Sequence, residues 1–591
     1  MENKNLNKLR HSCSHLLAAA VMQIWPNTKR TIGPAIENGF YFDFDFAEVK
    51  ISEKDFSRIE QKMHEIAKTW TEFTRYEKSP EEAKKEYPDN KYKQELIDTF
   101  ATKGQKISFY KAGQYSDLCE GGHVTDPKKE LKYFKLLSIA GAYWHGDEKN
   151  TMLTRIYGTI WPTKEELIEH LTQLEEAKKR DHRKLGADLG LFVFSDLVGK
   201  GLPMLTAKGA TIRRVLERFI VDEEIKRGYQ HVITPPIAKV DLYRTSGHYP
   251  YYKDTMYPPM IVDDEELILR PMTCPHHFML YKSSPHSYKE LPIRFAEISP
   301  QFRYEKSGEL TGLMRLRMFM LADAHIICSK DQAKQEIRQV LELIDFVNSA
   351  LGLTKGVNYR YRLSLGDRKD SKKYFKDDPL WDQAEQVLRE VLIETKAPFY
   401  EAENEAAFYG PKIDIQMKNV NGKEDTAFTV QYDFVMPKRF SMTYTKDDGT
   451  EGEPIVIHRA SLGCFERTMA FLIEHYKGAF PLWLNPIQVE VLTISEKHAE
   501  YAKKVTEILL KNNIRTHLND ENATISKKIR QSTLQKVSFM IIIGDKEIEK
   551  SQNKDSDQYI ISVRNRDGKD RGQLFLYEFI FELKSTIEKY L

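Results

Sequence analysis

Between Thr163 and Leu185 the chain carries a long, highly charged stretch with a single apolar stripe, and that stretch divides everything else. Thr163 and Glu166 have the spacing of a capping box, and Leu167, Leu171, Leu174 and Ala177 recur at helical spacing among charged neighbours. Gly186 follows where a C′ stop is expected. About 22 residues at ~1.5 Å each make a rod of ~33 Å. One stripe on such a rod bridges two bodies better than it fills a core. The expected boundaries are 1–161 for an N-terminal domain, 162–185 for a linker helix, 186–482 for a large middle domain and 483–591 for a C-terminal one.

A chain of 591 residues is in any case too long for one hydrophobic core. Its apolar fraction of 41% fits ordinary globular domains. The net charge of +2 is silent on nucleic acid, because a basic face can hide in a neutral total. Five scattered cysteines do not make a secreted disulfide framework. The first residues lack the apolar core of a secretory signal, and no apolar run reaches the ~20 residues of a membrane helix. A cytoplasmic setting without membrane contact is expected.

The pieces read differently on either side of the linker. His11–Trp25 is a mostly apolar, buried helix ended by Pro26; Gly39–Phe46 alternates as a half-buried strand, with Phe40, Phe42, Phe44 and Phe46 on one face. In the middle region strand-like runs (Ile293–Glu305, Ala427–Phe434) stand among helical ones (Thr211–Arg227, Leu462–Tyr476). After Pro481 and Pro486 the order is strand Ile487–Ile494, helix His498–Lys511, strand Met540–Ile543 and helix Leu576–Lys589, which favours an α/β domain with a largely parallel sheet.

Three segments in the middle region carry chemistry. Gly228–Pro235 joins a helix to a strand, Phe302–Glu305 (FRYE) closes a strand, and Gly463–Arg467 (GCFER) opens an apolar helix. Each is weak alone, since an Arg-x-Glu pair is ordinarily a surface ion pair. Their order and spacing resemble motifs 1, 2 and 3 of the class II aminoacyl-tRNA synthetases. Arg270–Pro275 (RPMTCP), Gly312–Arg317 (GLMRLR), Asp323–Ile326 (DAHI), Phe408–Asp414 (FYGPKID) and Ile457–Ala460 (IHRA) narrow the resemblance to the threonyl-tRNA synthetases, over essentially the whole chain.

That resemblance implies an α+β multidomain protein: an antiparallel-sheet catalytic core, an N-terminal α+β editing domain and a C-terminal α/β anticodon-binding domain. It implies threonine, ATP with Mg2+ and tRNA(Thr) as ligands, and a homodimer formed around Pro235. Activation is attack by a carboxylate on the α-phosphate of ATP, and the planar, always charged guanidinium suits it. By resemblance Arg303 holds the α-phosphate and the amino-acid carboxylate, Glu305 accepts from the adenine amino group, Arg315 reaches the terminal phosphate and Arg467 stacks on adenine. His248 matches a position that assists transfer to tRNA, or is an ordinary polar loop residue.

Spacing would not have found a metal in Cys274, His325 and His458, since a lone His or Cys is more often a core residue. The resemblance implies that they hold Zn2+, with open coordination positions as in a working site. Valine is nearly isosteric with threonine, and an apolar pocket separates such isosteres only ~100-fold; a zinc that takes both the amino and hydroxyl groups makes the hydroxyl obligatory. Asp323 is expected to accept from that hydroxyl and Tyr409 to contact the amino group, with Gln431 and Lys412 lining the site.

Serine keeps the hydroxyl, and one lost methyl is worth only ~1–3 kcal/mol, so a second, hydrolytic site is needed. His11 and His15 lie one helical turn apart, and Asp117, Cys119 and His123 form a second group. The bare pattern HxxxH plus CxxxH suggests zinc. The resemblance implies instead an editing site for mischarged seryl-tRNA(Thr) without a required metal, with Lys93 as a further member. In the last domain Lys527, Lys528 and Arg530 are candidates to meet phosphates.

The chain departs from the family pattern in four places, one of them Asn519–Thr524 in the last domain, which is less basic than the usual stretch. The ubiquitin-like domain that usually precedes the editing domain is expected to be absent, because His11 arrives almost at once. His276 stands where glycine is common, and Leu321 where glutamine is. These last two are the support for an alternative, a catalytically altered tRNA-binding paralogue; a zinc hydrolase built on His11 and Cys119 would leave most of the chain unexplained.

Overall fold

Alternation decides which face of each strand meets the core, and register decides which side chains meet one another. In a computed structural model that describes residues 2–147, 149–420, 422–552 and 559–591, both can be followed strand by strand. The chain packs as two units divided between Glu175 and Glu176.

In the first unit the helix Glu2–Ile24 buries Leu16, Leu17 and Val21 against Phe40, Phe42 and Phe44 of the strand Gly39–Asp45. That strand lies in an antiparallel sheet with Lys29–Arg30, Ala35–Ile36, Met152–Trp161 and Tyr133–Tyr143. A separate antiparallel sheet of Thr74–Lys78, Ile107–Ala112 and Tyr115–Leu118 carries Asp117 on its last strand. Asp43, on the polar side of the alternating strand, is nonetheless buried, because Arg155 grips its carboxylate at 2.7 and 2.8 Å.

The single linker helix expected over 162–185 is two helices. The Thr163/Glu166 capping box forms as read, with Thr163 N–H donating to Glu166 at 3.0 Å and Glu166 N–H to Thr163 Oγ1 at 3.2 Å. The helix Lys164–Arg180 then stops at Asp181, whose non-helical backbone and carboxylate cap a new helix, His182–Asp188. Gly186 is therefore not a stop but a buried position inside that second helix, where a Cβ would meet the Phe192 ring at 2.2 Å.

The second unit centres on an eight-stranded sheet among the described residues. Its order is Gln230–His231, Ile293–Phe302, Met318–Cys328, Ile455–Cys464, Glu424–Asp433, Lys412–Lys418, Tyr359–Ser364 and Phe399–Ala402. The outermost pairing at each end is parallel and the rest are antiparallel. Ala322, Ala324, Ile326, Val430, Tyr432, Ile413, Ile415 and Ile457 face a core completed by the helices Ala333–Ala350, Asp378–Glu394 and Phe465–His475. Side chains alternate across a strand, so the intervening residues Asp323, His325, His458, Gln431 and Lys412 share the opposite face.

Two further expectations shift. The strand ends at Phe302, so Arg303 and Glu305 stand in the loop beyond it, and Leu462–Cys464 belongs to a strand, with the helix beginning at Phe465. The C-terminal sheet is mixed: Thr516–Asn519, Val489–Thr493 and Phe539–Ile543 pair in parallel, but Ile560–Asn565 and Asp570–Phe575 add antiparallel. A short reversal is enough to join antiparallel strands, so no crossover helix interrupts that last pair.

Candidate active site and editing site

Register brings the central residues together. His325 sits opposite His458, His458 opposite Gln431, and Gln431 opposite Lys412, a row running across four strands. Cys274, the first residue of the helix Cys274–Tyr281, is packed beside them. The Cys274, His325 and His458 donor atoms lie within 4.8 Å of one another, and all three residues are buried.

Whether this trio suits a metal depends on which nitrogens are free. His458 Nε2 donates to Asp433 Oδ2 at 2.8 Å, and a carboxylate can only accept, so Nδ1 is left for a cation. His277 Nε2 faces Glu297 Oε2 at 3.3 Å and His277 Nδ1 faces His325 Nδ1 at 2.8 Å. With His277 Nε2 donating to the Glu297 carboxylate and its Nδ1 accepting from His325 Nδ1–H, His325 Nε2 is left as the free lone pair. Burial, then the neighbouring His458 and His277, hold His325 far below the usual imidazole range, so it is neutral. Burial, then Asp323 and Asp433, push the Cys274 thiol up; those same carboxylates favour a cation at the trio. Held imidazoles beside a sulfur donor fit a metal ion such as zinc. His277 and Asp433 were not foreseen in the sequence; the doubled histidine of Cys274–His277 was the available signal for the first.

The surrounding residues divide into those free for a ligand and those paired. Asp323 takes a 3.4 Å bond from Gln301 Nε2, and burial raises its carboxyl. Tyr409 donates to Gln431 Oε1, fixing the two as a pair. Lys412 is turned to Asp414, at 2.7 and 2.8 Å. His248 is fully buried, its Nδ1 2.7 Å from Ser246 Oγ and its Nε2 without a partner among the described residues; burial pushes it down to about 3. Its ring centroid lies 6.3 Å from that of Tyr409, so it belongs to the same pocket.

Arg303 lies over Phe319, 5.2 Å from the ring centroid. Burial, then the charge of Arg467, lower its guanidinium. Two guanidiniums gathered in this way suit an anion between them. Arg467 donates to the Met314 and Thr426 carbonyls at 3.3 and 3.1 Å. Arg315 reaches Glu305 at 2.8 Å and Glu309 at 3.2 Å, and is thereby held in an ion-paired position. Leu321 pairs with Ser299 and Cys464 at a bulge in the sheet. His276 is buried, its Nδ1 without a partner among the described residues, and is pushed down to about 4, chiefly by burial.

In the first unit His11, His15, Cys119 and His123 also hold donor atoms within 4.8 Å of one another. Cys119 Sγ lies 3.3 Å from His123 Nε2 and 3.5 Å from His11 Nε2, and the His123 ring stacks on Phe73 at 4.0 Å. Burial pushes the Cys119 thiol up to about 12 and His123 down to about 3, and it lowers His11 and His15 as well. The group is thus a thiol among neutral imidazoles. It borders a cavity of about 410 Å³ that Lys93 and Asp117 also line.

Asp117 is held from all sides. Lys93 Nζ and Tyr87 Oη reach its Oδ1 at 2.8 Å, Arg30 Nε does so at 3.4 Å, and Tyr115 Oη reaches Oδ2 at 2.8 Å. Burial alone would raise that carboxyl, but Arg30 and Lys93 keep it below the usual carboxylate range. Arg30 had no sequence signal of its own. Of the three basic residues of the last domain, Lys528 is corrected: its ammonium is buried and donates to Thr493 O and Oγ1 and to Asn519 O at 2.9–3.2 Å, so it meets no phosphate.

Comparison with known proteins gives concordant results. Residues 258–476 match the model of the tRNA synthetase class II core domain (G, H, P, S and T), 488–586 an anticodon binding domain, and 107–157 the threonyl and alanyl tRNA synthetase second additional domain. The chain is 48% identical over 587 residues to the threonine–tRNA ligase of Geobacillus sp. (strain WCH70), covering 99% of this chain and 89% of that one. It is 48% identical over 549 residues to threonine–tRNA ligase 1 of Bacillus subtilis (strain 168), covering 92% and 84%. Among solved structures it resembles the RNA binding domain of threonyl-tRNA synthetase from Cryptosporidium parvum Iowa II, with a TM-score of 0.64, 36% identity and coverage of 69% of this chain and 98% of that one.

Proposed function

The chain belongs to the threonyl-tRNA synthetase family, and on that premise we propose how its residues divide the work. It is a ligase that uses ATP to attach threonine to tRNA, and its N-terminal unit edits the product. The observation that carries the assignment of residues is the row His325–His458–Gln431–Lys412 across the sheet, with Cys274 beside it. The alternative of a paralogue without catalysis is not favoured at 48% identity to ligases.

Arg303 and Arg467 bind the ATP phosphates and adenine from one side, and Arg315 exchanges its carboxylate partners for the terminal phosphate. Mg2+ accompanies the ATP. Cys274, His325 and His458 would hold Zn2+, which when bound supplies a Lewis acid for the amino and hydroxyl groups of threonine. Asp323 accepts from the threonine hydroxyl, and the Tyr409–Gln431 pair orients the amino group. His248 offers its Nε2 as a hydrogen-bond acceptor that orients the tRNA hydroxyl as threonine is transferred. Lys412 lines the same site with its ammonium held by Asp414.

In the first unit His11, His15, Cys119 and His123 position water against a seryl ester, and Asp117 orients Lys93. A carboxylate already accepting from four side chains has little left for substrate. The protein acts in the cytoplasm as a homodimer. Ile233, beside Pro235, is 96% exposed, and Ile237 and Ile261 are exposed as well, which supports an apolar interface there. Sedimentation would test this: a chain that remains monomeric at micromolar concentration would exclude it. For the catalytic assignment the test is threonine-dependent exchange of pyrophosphate into ATP by the unaltered chain and by Arg303→Lys, which keeps the charge but loses the bidentate fork. Equal exchange by the two would remove Arg303 from the role.

A further inference from the structure

We propose that His182 is a positioning residue for the loop that presents Arg315 to ATP; the proposal rests on the role given above to Arg315. His182 opens the helix His182–Asp188 and is 3% exposed. Its Nδ1 lies 2.7 Å from Glu474 Oε1, near the end of the helix Phe465–His475. A carboxylate only accepts, so Nδ1 carries the proton and Nε2 is a lone pair. That lone pair accepts the Leu313 backbone N–H at 3.1 Å. Asp181, His182 and Glu474 have donor atoms close enough to suggest a metal, but both imidazole nitrogens are already committed.

The bond to Leu313 has a partner one residue on. The Met314 carbonyl accepts from Arg467 Nε at 3.3 Å, and Arg467 stands on the same helix as Glu474. Two consecutive residues of the loop are therefore gripped from one helix, directly through Arg467 and indirectly through His182. Arg315 follows immediately, its side chain about half exposed. Approach is close: Gly312 has φ +47°, and a Cβ there would lie 2.1 Å from His182 Nε2. Only glycine brings the backbone this near to the ring without a clash.

Leu313 is fully buried, so its N–H has no water to turn to when the imidazole is lost. Leaving it unpaired loosens the turn that aims Arg315 and should weaken ATP without touching threonine. Asparagine and glutamine separate the two halves of the ring. Asparagine can keep the Glu474 bond in the place of Nδ1, whereas glutamine can keep an acceptor in the place of Nε2.

The test is calorimetric titration of ATP into the full chain, with KM for ATP and for threonine measured by pyrophosphate exchange. His182→Asn is expected to weaken ATP about tenfold, the effect of one unpaired buried N–H. His182→Gln should stay within about twofold of the unaltered chain, with threonine KM unchanged in both. If His182→Asn does not fold, Gly312→Ala, which crowds Nε2 from the loop side, should give the same loss of ATP affinity. The inference is overturned if glutamine weakens ATP as much as asparagine, if ATP and threonine KM rise together, or if Gly312→Ala binds ATP normally. Absence of exchange by the unaltered chain would count against the synthetase function alone, because calorimetry reads ATP without turnover.

Discussion

Asp433 Oδ2 accepts from His458 Nε2 at 2.8 Å while its Oδ1 takes the N–H groups of Val435 and Met436, both at 2.9 Å. The carboxylate is thereby fixed by the backbone and in turn fixes the ring. His458 can rotate only by breaking a buried bond, and its remaining nitrogen has one place to point.

Asp433→Asn should keep the backbone bonds through its carbonyl but weaken the hold on the imidazole. Loss of such an outer partner typically costs about 10–100-fold in metal affinity. Competition with a chelator measures it: zinc should leave the variant at lower chelator concentration. Unchanged retention would mean that Asp433 only shapes the fold.

The editing residues are expected to act apart from activation. His11→Ala or Cys119→Ala should slow hydrolysis of seryl-tRNA(Thr) by about 10²-fold or more, the scale of a lost general acid–base group. Threonine activation should be unaffected. Hydrolysis of seryl-tRNA at the original rate in both variants would remove the N-terminal site from editing.

Neutral histidines, His15 buried and His11 and His123 half-buried, make the first unit sensitive to mild acid. His11, His15 and His123 are all lowered by burial, His123 to about 3, whereas an unfolded histidine protonates near 6.5. Below about pH 6.5 the unfolded chain binds more protons, so stability is complete above that pH and is lost as pH falls toward 3. The slope is about 1.4 kcal/mol per pH unit for each histidine fully in this window. Calorimetric unfolding at pH 7 and pH 5 should show a smaller loss for His123→Gln than for the unaltered chain. Equal losses would contradict a half-buried, neutral His123.

Which residues lie inward was legible in the sequence wherever alternation was clean, as along Phe40–Phe46. The facing partners were not. His325 and His458 are 133 positions apart, and only strand register sets them opposite each other. Nothing local encodes that register. The same holds for Arg30 and Asp117, which belong to different sheets. Thr163 and Glu166 announced a helix start correctly because capping is a local interaction, but the break at Asp181 was hidden. Its own cap there serves a second helix, and charged residues run through both. Lys528 reads in the sequence as one of three candidates to meet phosphates, but Thr493, distant in the chain, and Asn519 enclose its ammonium.

The central claim is that one metal, held by Cys274, His325 and His458, makes the threonine hydroxyl obligatory. Amino-acid-dependent exchange of pyrophosphate into ATP by the full chain, with zinc bound and after its removal, tests that claim most directly. The zinc-bound protein should support exchange with threonine and serine but not valine, and both metal removal and Cys274→Ala should abolish it. Exchange that persists with threonine in the metal-free protein, or that appears with valine in the zinc-bound one, would contradict it.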